Sequence, residues 1–147
     1  MTSMTVNRTI DAPVERVFHT VADIDQFTKA IPHIVKVEIL SEIQSGVGTR
    51  FRETRHMKGK EATTELEVTE YVENEHVRIV ADSHGVVWDT VFTTAEKDGK
   101  TELTMVMDAR AHKLSAKLMI PLAMGIIKKA VEGDMDCVKE YCEGGGE

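Results

Sequence analysis

Residues 50–68 read RFRETRHMKGKEATTELEV, and the way they pair decides how the chain folds. Side chains alternate between the two faces of a strand, and Lys58-Gly59 suits a two-residue turn between two strands. That turn sets Phe51 opposite Leu66, Glu53 opposite Thr64 and Arg55 opposite Ala62 on one face. The other face sets Arg52 against Glu65 and Arg50 against Glu67, so four charges pair toward water. The first face is mixed. Phe51, Met57 and Leu66 belong in an apolar interior, yet Glu53 and Arg55 point the same way. A solid core excludes ionised groups unless they are paired. A cavity that holds a ligand needs a few oriented polar groups.

The rest of the chain extends this one-sided pattern. Val35, Val37 and Ile39 alternate with Lys36 and Glu38. His84-Gly85 and Asp98-Gly99 are turn dipeptides. Together they set Ala81 opposite Trp88, Ile79 opposite Thr90, Trp88 opposite Ala109, Thr90 opposite Met107 and Phe92 opposite Met105. An antiparallel meander with a single apolar side follows. Before it come a strand over Met4 to Ile10 and a helix opened by Pro13, with Val14, Val17, Phe18 and Val21 at helical spacing. A second short helix carries Phe27 and Ile31 and stops at Pro32. After the meander, Ser115 to Cys142 forms one long helix, expected to start or bend near Pro121. Leu118, Leu122, Ile126, Ile127, Ala130, Val131, Met135, Val138 and Cys142 read as its inward stripe.

Bulk properties narrow the functions. A chain of 147 residues suits one domain, expected over 1–143, with a flexible tail at 144–147. A net charge of −7 argues against a general nucleic-acid binder, which shows a basic face. No apolar run reaches the ~18 residues of a membrane span, and Met1 to Val6 lacks the look of a secretory leader. Cys137 and Cys142 stand too far apart on a helix to bridge. Free thiols and no leader give a cytoplasmic expectation. None of the six histidines forms a metal-ligand motif, and neither a phosphate-binding loop nor a nucleophile elbow occurs. No cofactor and no metal are expected.

The order is therefore strand, two short helices, six strands and a long C-terminal helix. The stretches IDAPVERVFHTVADIDQF (10–27) and GVGTRFRETRHMKGKEATTELEVTEYVENEHV (46–77), followed by the final amphipathic helix, resemble the START-like, or SRPBCC, superfamily. The polyketide cyclase/dehydrase and coenzyme-Q-binding-like members are the nearest in look, over about Thr5 to Glu143. The resemblance implies an α+β helix-grip fold, in which a seven-stranded antiparallel sheet wraps a long C-terminal helix and leaves an apolar cavity between them. Members bind lipids, hormones or aromatic polyketides, and some catalyse reactions. The superfamily has no universal catalytic motif, so no catalytic residue is carried over.

The expected cavity residues are Phe51, Glu53, Arg55, Met57, Trp88, Phe92, Met105, Met107, Leu118, Leu122 and Ile126. Methionines also fill ordinary cores. Glu53 and Arg55 either anchor a ligand's polar end or simply pair with each other at the sheet edge. Arg55 suits an acidic or carbonyl group, because its donor fork stays charged. Asp89 and Asp108 fall opposite each other on the outer face, with Arg78 in reach, which reads as a solvated cluster. His112, in the loop before the last helix, is a candidate general base at a cavity mouth, though a surface loop histidine is the simpler reading. Three functions compete. The first is a binder of a small hydrophobic ligand such as a lipid, quinone or polyketide. The second is a cyclase or dehydratase using Glu53, Arg55 or His112. The third is a protein-interaction adaptor on an acidic surface.

Overall fold

The computed structural model describes residues 2–145, apart from the side chain of Met57. Seven strands form one antiparallel sheet in the order β1-β7-β6-β5-β4-β3-β2. They are β1 (Thr2–Ile10), β2 (Ile34–Ile39), β3 (Arg50–Met57), β4 (Lys60–Val72), β5 (His76–Ser83), β6 (Val86–Lys97) and β7 (Lys100–Ala111). Two short helices, α1 (Val14–Ala22) and α2 (Ile24–Ala30), join β1 to β2, and the long helix α3 (Leu114–Glu140) follows β7. This is the helix-grip arrangement.

The hairpins have the register that their side-chain alternation dictates. Phe51 pairs with Leu66, Glu53 with Thr64 and Arg55 with Ala62. Phe92 pairs with Met105, Thr90 with Met107 and Trp88 with Ala109. Three turns place both central residues in the left-handed region: Lys58-Gly59 at φ 52 and 77, His84-Gly85 at 53 and 81, Asp98-Gly99 at 52 and 81. Two such residues in succession give the turn whose twist matches a hairpin, and glycine takes the second position without steric cost. On the outer face Arg52 donates to Glu65 at 2.9 Å.

Strand β4 departs from strict alternation. The β4–β5 register shifts between Val68 and Glu70. Leu66 and Val68 face the helix side, and after the bulge Tyr71, paired with Val77, faces it too. A bulge inserts one residue and so reverses parity.

The helix α3 corrects the expected stripe. Its second half buries Val131, Met135 and Val138, as the spacing requires, while Ala130, read into the same stripe, stands exposed. Its first half buries Ala116 and Ile120 instead, against Val86 and Ala109 with Trp88 alongside. Leu118, Leu122 and Ile126 are 68%, 78% and 74% exposed. Residues 114–127 are apolar almost all round the helix, so periodicity there favours no single face. The helix starts at Leu114 and continues through Pro121. Of the expected tail, Gly144 takes a non-helical, left-handed conformation at φ 127, and residues 146–147 lie outside the described residues.

Candidate functional site

Between the sheet, the α1–α2 junction and the second half of α3 lies a cavity of about 120 Å³. That is several times the space one water molecule needs. Phe51, Leu66, Phe92, Met105 and Met107 line it from the sheet, Ile24 and Phe27 from α2, and Val131, Met135 and Val138 from α3. Phe27 and Phe92 meet at a tilt, with centroids 6.2 Å apart. The walls combine three phenylalanines with aliphatic side chains and three methionines, and the methionines make them deformable.

Glu53 and Arg55 both reach the cavity wall. Arg55 Nε donates to Glu53 Oε1 at 2.6 Å. Arg55 Nη1 donates to Asp134 Oδ1 and Oδ2 at 3.1 and 2.9 Å. Asp134 comes from α3, one position before the buried Met135, and it too lines the cavity. Burial works against the charge on Arg55, but Glu53 and Asp134 outweigh it and hold the guanidinium above its ordinary range. Burial pushes the Asp134 carboxyl up, and Arg55 offsets this only in part. With all three ionised the group carries one net negative charge. Nη2 of Arg55 is engaged by neither carboxylate.

A second polar group sits where α1 meets α2. Asp23 and Ser45 line the cavity. Tyr71 Oη donates to Asp23 Oδ1 at 3.0 Å, and Ser45 Oγ reaches the same oxygen at 3.3 Å. His19 Nδ1 lies 2.7 Å from Asp23 Oδ2, and its Nε2 meets Glu73. Burial lowers the His19 pKa, but hydrogen bonds and charge from Asp23 and Glu73 leave it raised. Burial, then the hydrogen bond to Asp23, pushes the Tyr71 hydroxyl up to about 12.

The expected site residues separate into three sets. Phe51, Glu53, Arg55, Phe92, Met105 and Met107 line the cavity. Trp88 packs against the small cluster under the first half of α3, and Leu118, Leu122 and Ile126 face outward. The cavity is bounded by the second half of α3 because Ala116 and Ile120 let the first half close onto the sheet. The Met57 side chain lies outside the described residues. His112 bonds Asp82 at 2.9 Å on the surface, away from the cavity. Asp89 does pair with Asp108 across the strands, but it is held by two bonds from Arg78, at 2.9 and 2.6 Å. Among the described residues no three His, Cys, Asp or Glu side chains converge as metal ligands. Alternation missed Tyr71 because of the bulge. Asp134 was legible in principle, since it falls in the 131/134/135/138 spacing of the inward stripe.

A family model described as "Polyketide cyclase / dehydrase and lipid transport" matches residues 1–143. The chain belongs to that family. It is a branch of the START-like superfamily that the sequence resembles. No curated protein matches the chain in sequence. Solved structures of the same fold include TTHA0849 from Thermus thermophilus, with TM-score 0.79 and 16% identity over 99% of this chain and 100% of that one. Ara h 8.0201 matches with TM-score 0.78 and 17% identity over 96% and 97%. The di-domain ARO/CYC protein StfQ from the steffimycin biosynthetic pathway matches with TM-score 0.78 and 12% identity, over 96% of this chain and 50% of that one. At these identities the likeness establishes the fold alone. In this polyketide cyclase/dehydrase and lipid-transport family member, the groups able to meet a bound molecule are the apolar walls, the Glu53–Arg55–Asp134 trio and the Asp23 carboxylate.

Proposed function

We propose that the chain binds a small hydrophobic ligand in the cavity, with a neutral polar end of that ligand at the Glu53–Arg55–Asp134 trio. The observation that carries this reading is Arg55, flanked by two carboxylates at the wall of an otherwise apolar space. A close-packed core gains nothing from such a trio. A cavity gains orientation, because Arg55 offers N–H donors toward a carbonyl or hydroxyl oxygen. The second carboxylate changes the preferred ligand. Arg55 with Glu53 alone is neutral and tolerates an acidic end, whereas the trio with Asp134 ionised is net negative and repels one. A ketone, quinone, alcohol or ester fits this charge best. Native mass spectrometry of protein purified from its own host tests the reading. A retained neutral compound, extractable into organic solvent, is the expected result. Protein of bare polypeptide mass that also takes up no apolar probe contradicts it.

A second reading, an enzyme of the cyclase or dehydratase type, draws on the Asp23 cluster. A carboxylate at the cavity wall with an imidazole behind it is an arrangement suited to proton transfer. Incubation with a model polyketone tests it. Catalysed loss of water that is abolished in Asp23→Asn supports an enzyme, and no conversion leaves the binding reading alone.

A further inference from the structure

The first half of α3 presents apolar side chains to solvent as well as to the sheet. Leu114, Leu118, Leu122 and Ile126 recur every fourth residue, so they form one ridge along the helix. All four are at least two-thirds exposed, and Met119 borders them at 59%. They account for five of the nine large apolar residues that stand exposed among the described residues. The charge around the ridge is equally uneven. Residues 110–131 contain Arg110, Lys113, Lys117, Lys128 and Lys129 and none of the chain's 25 Asp and Glu, in a protein of net charge −7. Lys113, Lys117, Lys128 and Lys129 are all exposed.

We propose that this ridge docks the protein onto the surface of an anionic lipid bilayer. The apolar side chains enter the headgroup layer, and the lysine stems lie along it with their amines on lipid phosphates. The acidic remainder of the molecule is repelled by the same surface, which fixes the docked orientation with α3 downward. A second copy of the chain fits less well. Ridge-to-ridge pairing brings the lysines of one copy against those of the other. Among the described residues no helix is long and apolar enough to cross a membrane, so the contact is peripheral.

Co-sedimentation of the full chain with vesicles tests the proposal, using phosphatidylcholine alone and phosphatidylcholine mixed equally with phosphatidylglycerol. The protein is expected to sediment with the anionic vesicles, to remain in solution with the neutral ones, and to be released by added salt. Leu118→Asp and Leu122→Asp should each lower partitioning roughly tenfold or more. The double change Lys128→Gln with Lys129→Gln should lower it roughly thirtyfold. All four side chains are exposed, so melting curves are expected to stay close to wild type and show that the fold is kept. Failure to sediment with anionic vesicles overturns the proposal, as does equal binding to both vesicle types. So does a wild-type dimer in light scattering that Leu122→Asp splits, which would assign the ridge to a second copy.

Discussion

At the scale of single residues, the chemistry of the interior turns on Arg55. Its charge is held by Glu53 and Asp134, and all three side chains are largely removed from water. Arg55→Met leaves two carboxylates facing each other, so a loss of about 3–5 kcal/mol of unfolding free energy is expected in urea titrations. Adding Glu53→Gln and Asp134→Asn to that variant should recover most of the loss; no recovery would mean that packing, not charge, sets the cost. His19 gives a prediction in pH. Its folded pKa is raised by Asp23 and Glu73 despite partial burial. The stabilisation it brings is therefore complete below its ordinary pKa of about 6.5 and is lost as the pH rises through the folded value. The stability gap between wild type and His19→Asn should be wide in acid and narrow in base. A gap that widens with pH would contradict the protonated bridge.

At the scale of elements, side-chain alternation made the sheet legible in the sequence, since the β3–β4, β5–β6 and β6–β7 hairpins keep one unbroken register. Phe51, Leu66, Trp88, Phe92 and Met105 all took the face assigned to them. Three features escaped the same logic. In β2 the register shifts between Ile34 and Lys36, so Ile34 is buried and Val35 stands exposed. The bulge after Val68 reversed the parity of β4 and brought Tyr71 to Asp23. No alternating pattern announces an inserted residue. The first half of α3 carries apolar residues on both faces, so Leu118, Leu122 and Ile126 competed with Ala116 and Ile120 for the inward position. Ala116 and Ile120 took it, and there the helix closes against Val86 and Ala109. The two faces differ in energy, and substitution reads the difference. Met135→Ala, fully buried, should cost about 2–5 kcal/mol, whereas Leu122→Ala should stay within about 0.5 kcal/mol of wild type. Equal losses at the two positions would place Leu122 in the core after all.

At the scale of the whole molecule, a helix laid across a one-sided sheet fills the space under its first half and leaves a cavity under its second. Deformable methionine walls and a charged trio distinguish that cavity from a packing fault, because a fault has no use for Arg55. Filling it isolates its role. Met105 is buried at the wall, and Met105→Trp adds bulk there at an overpacking cost of about 1–3 kcal/mol, which the fold should survive. Calorimetric titration of decanol and of decanoate into wild type and Met105→Trp is the most direct measurement. Wild type is expected to bind both probes, decanol more tightly, and Met105→Trp, still folded, to bind neither. Preference for decanoate would contradict the net-negative trio, and undiminished binding by Met105→Trp, or no binding by wild type, would contradict the cavity as the ligand site.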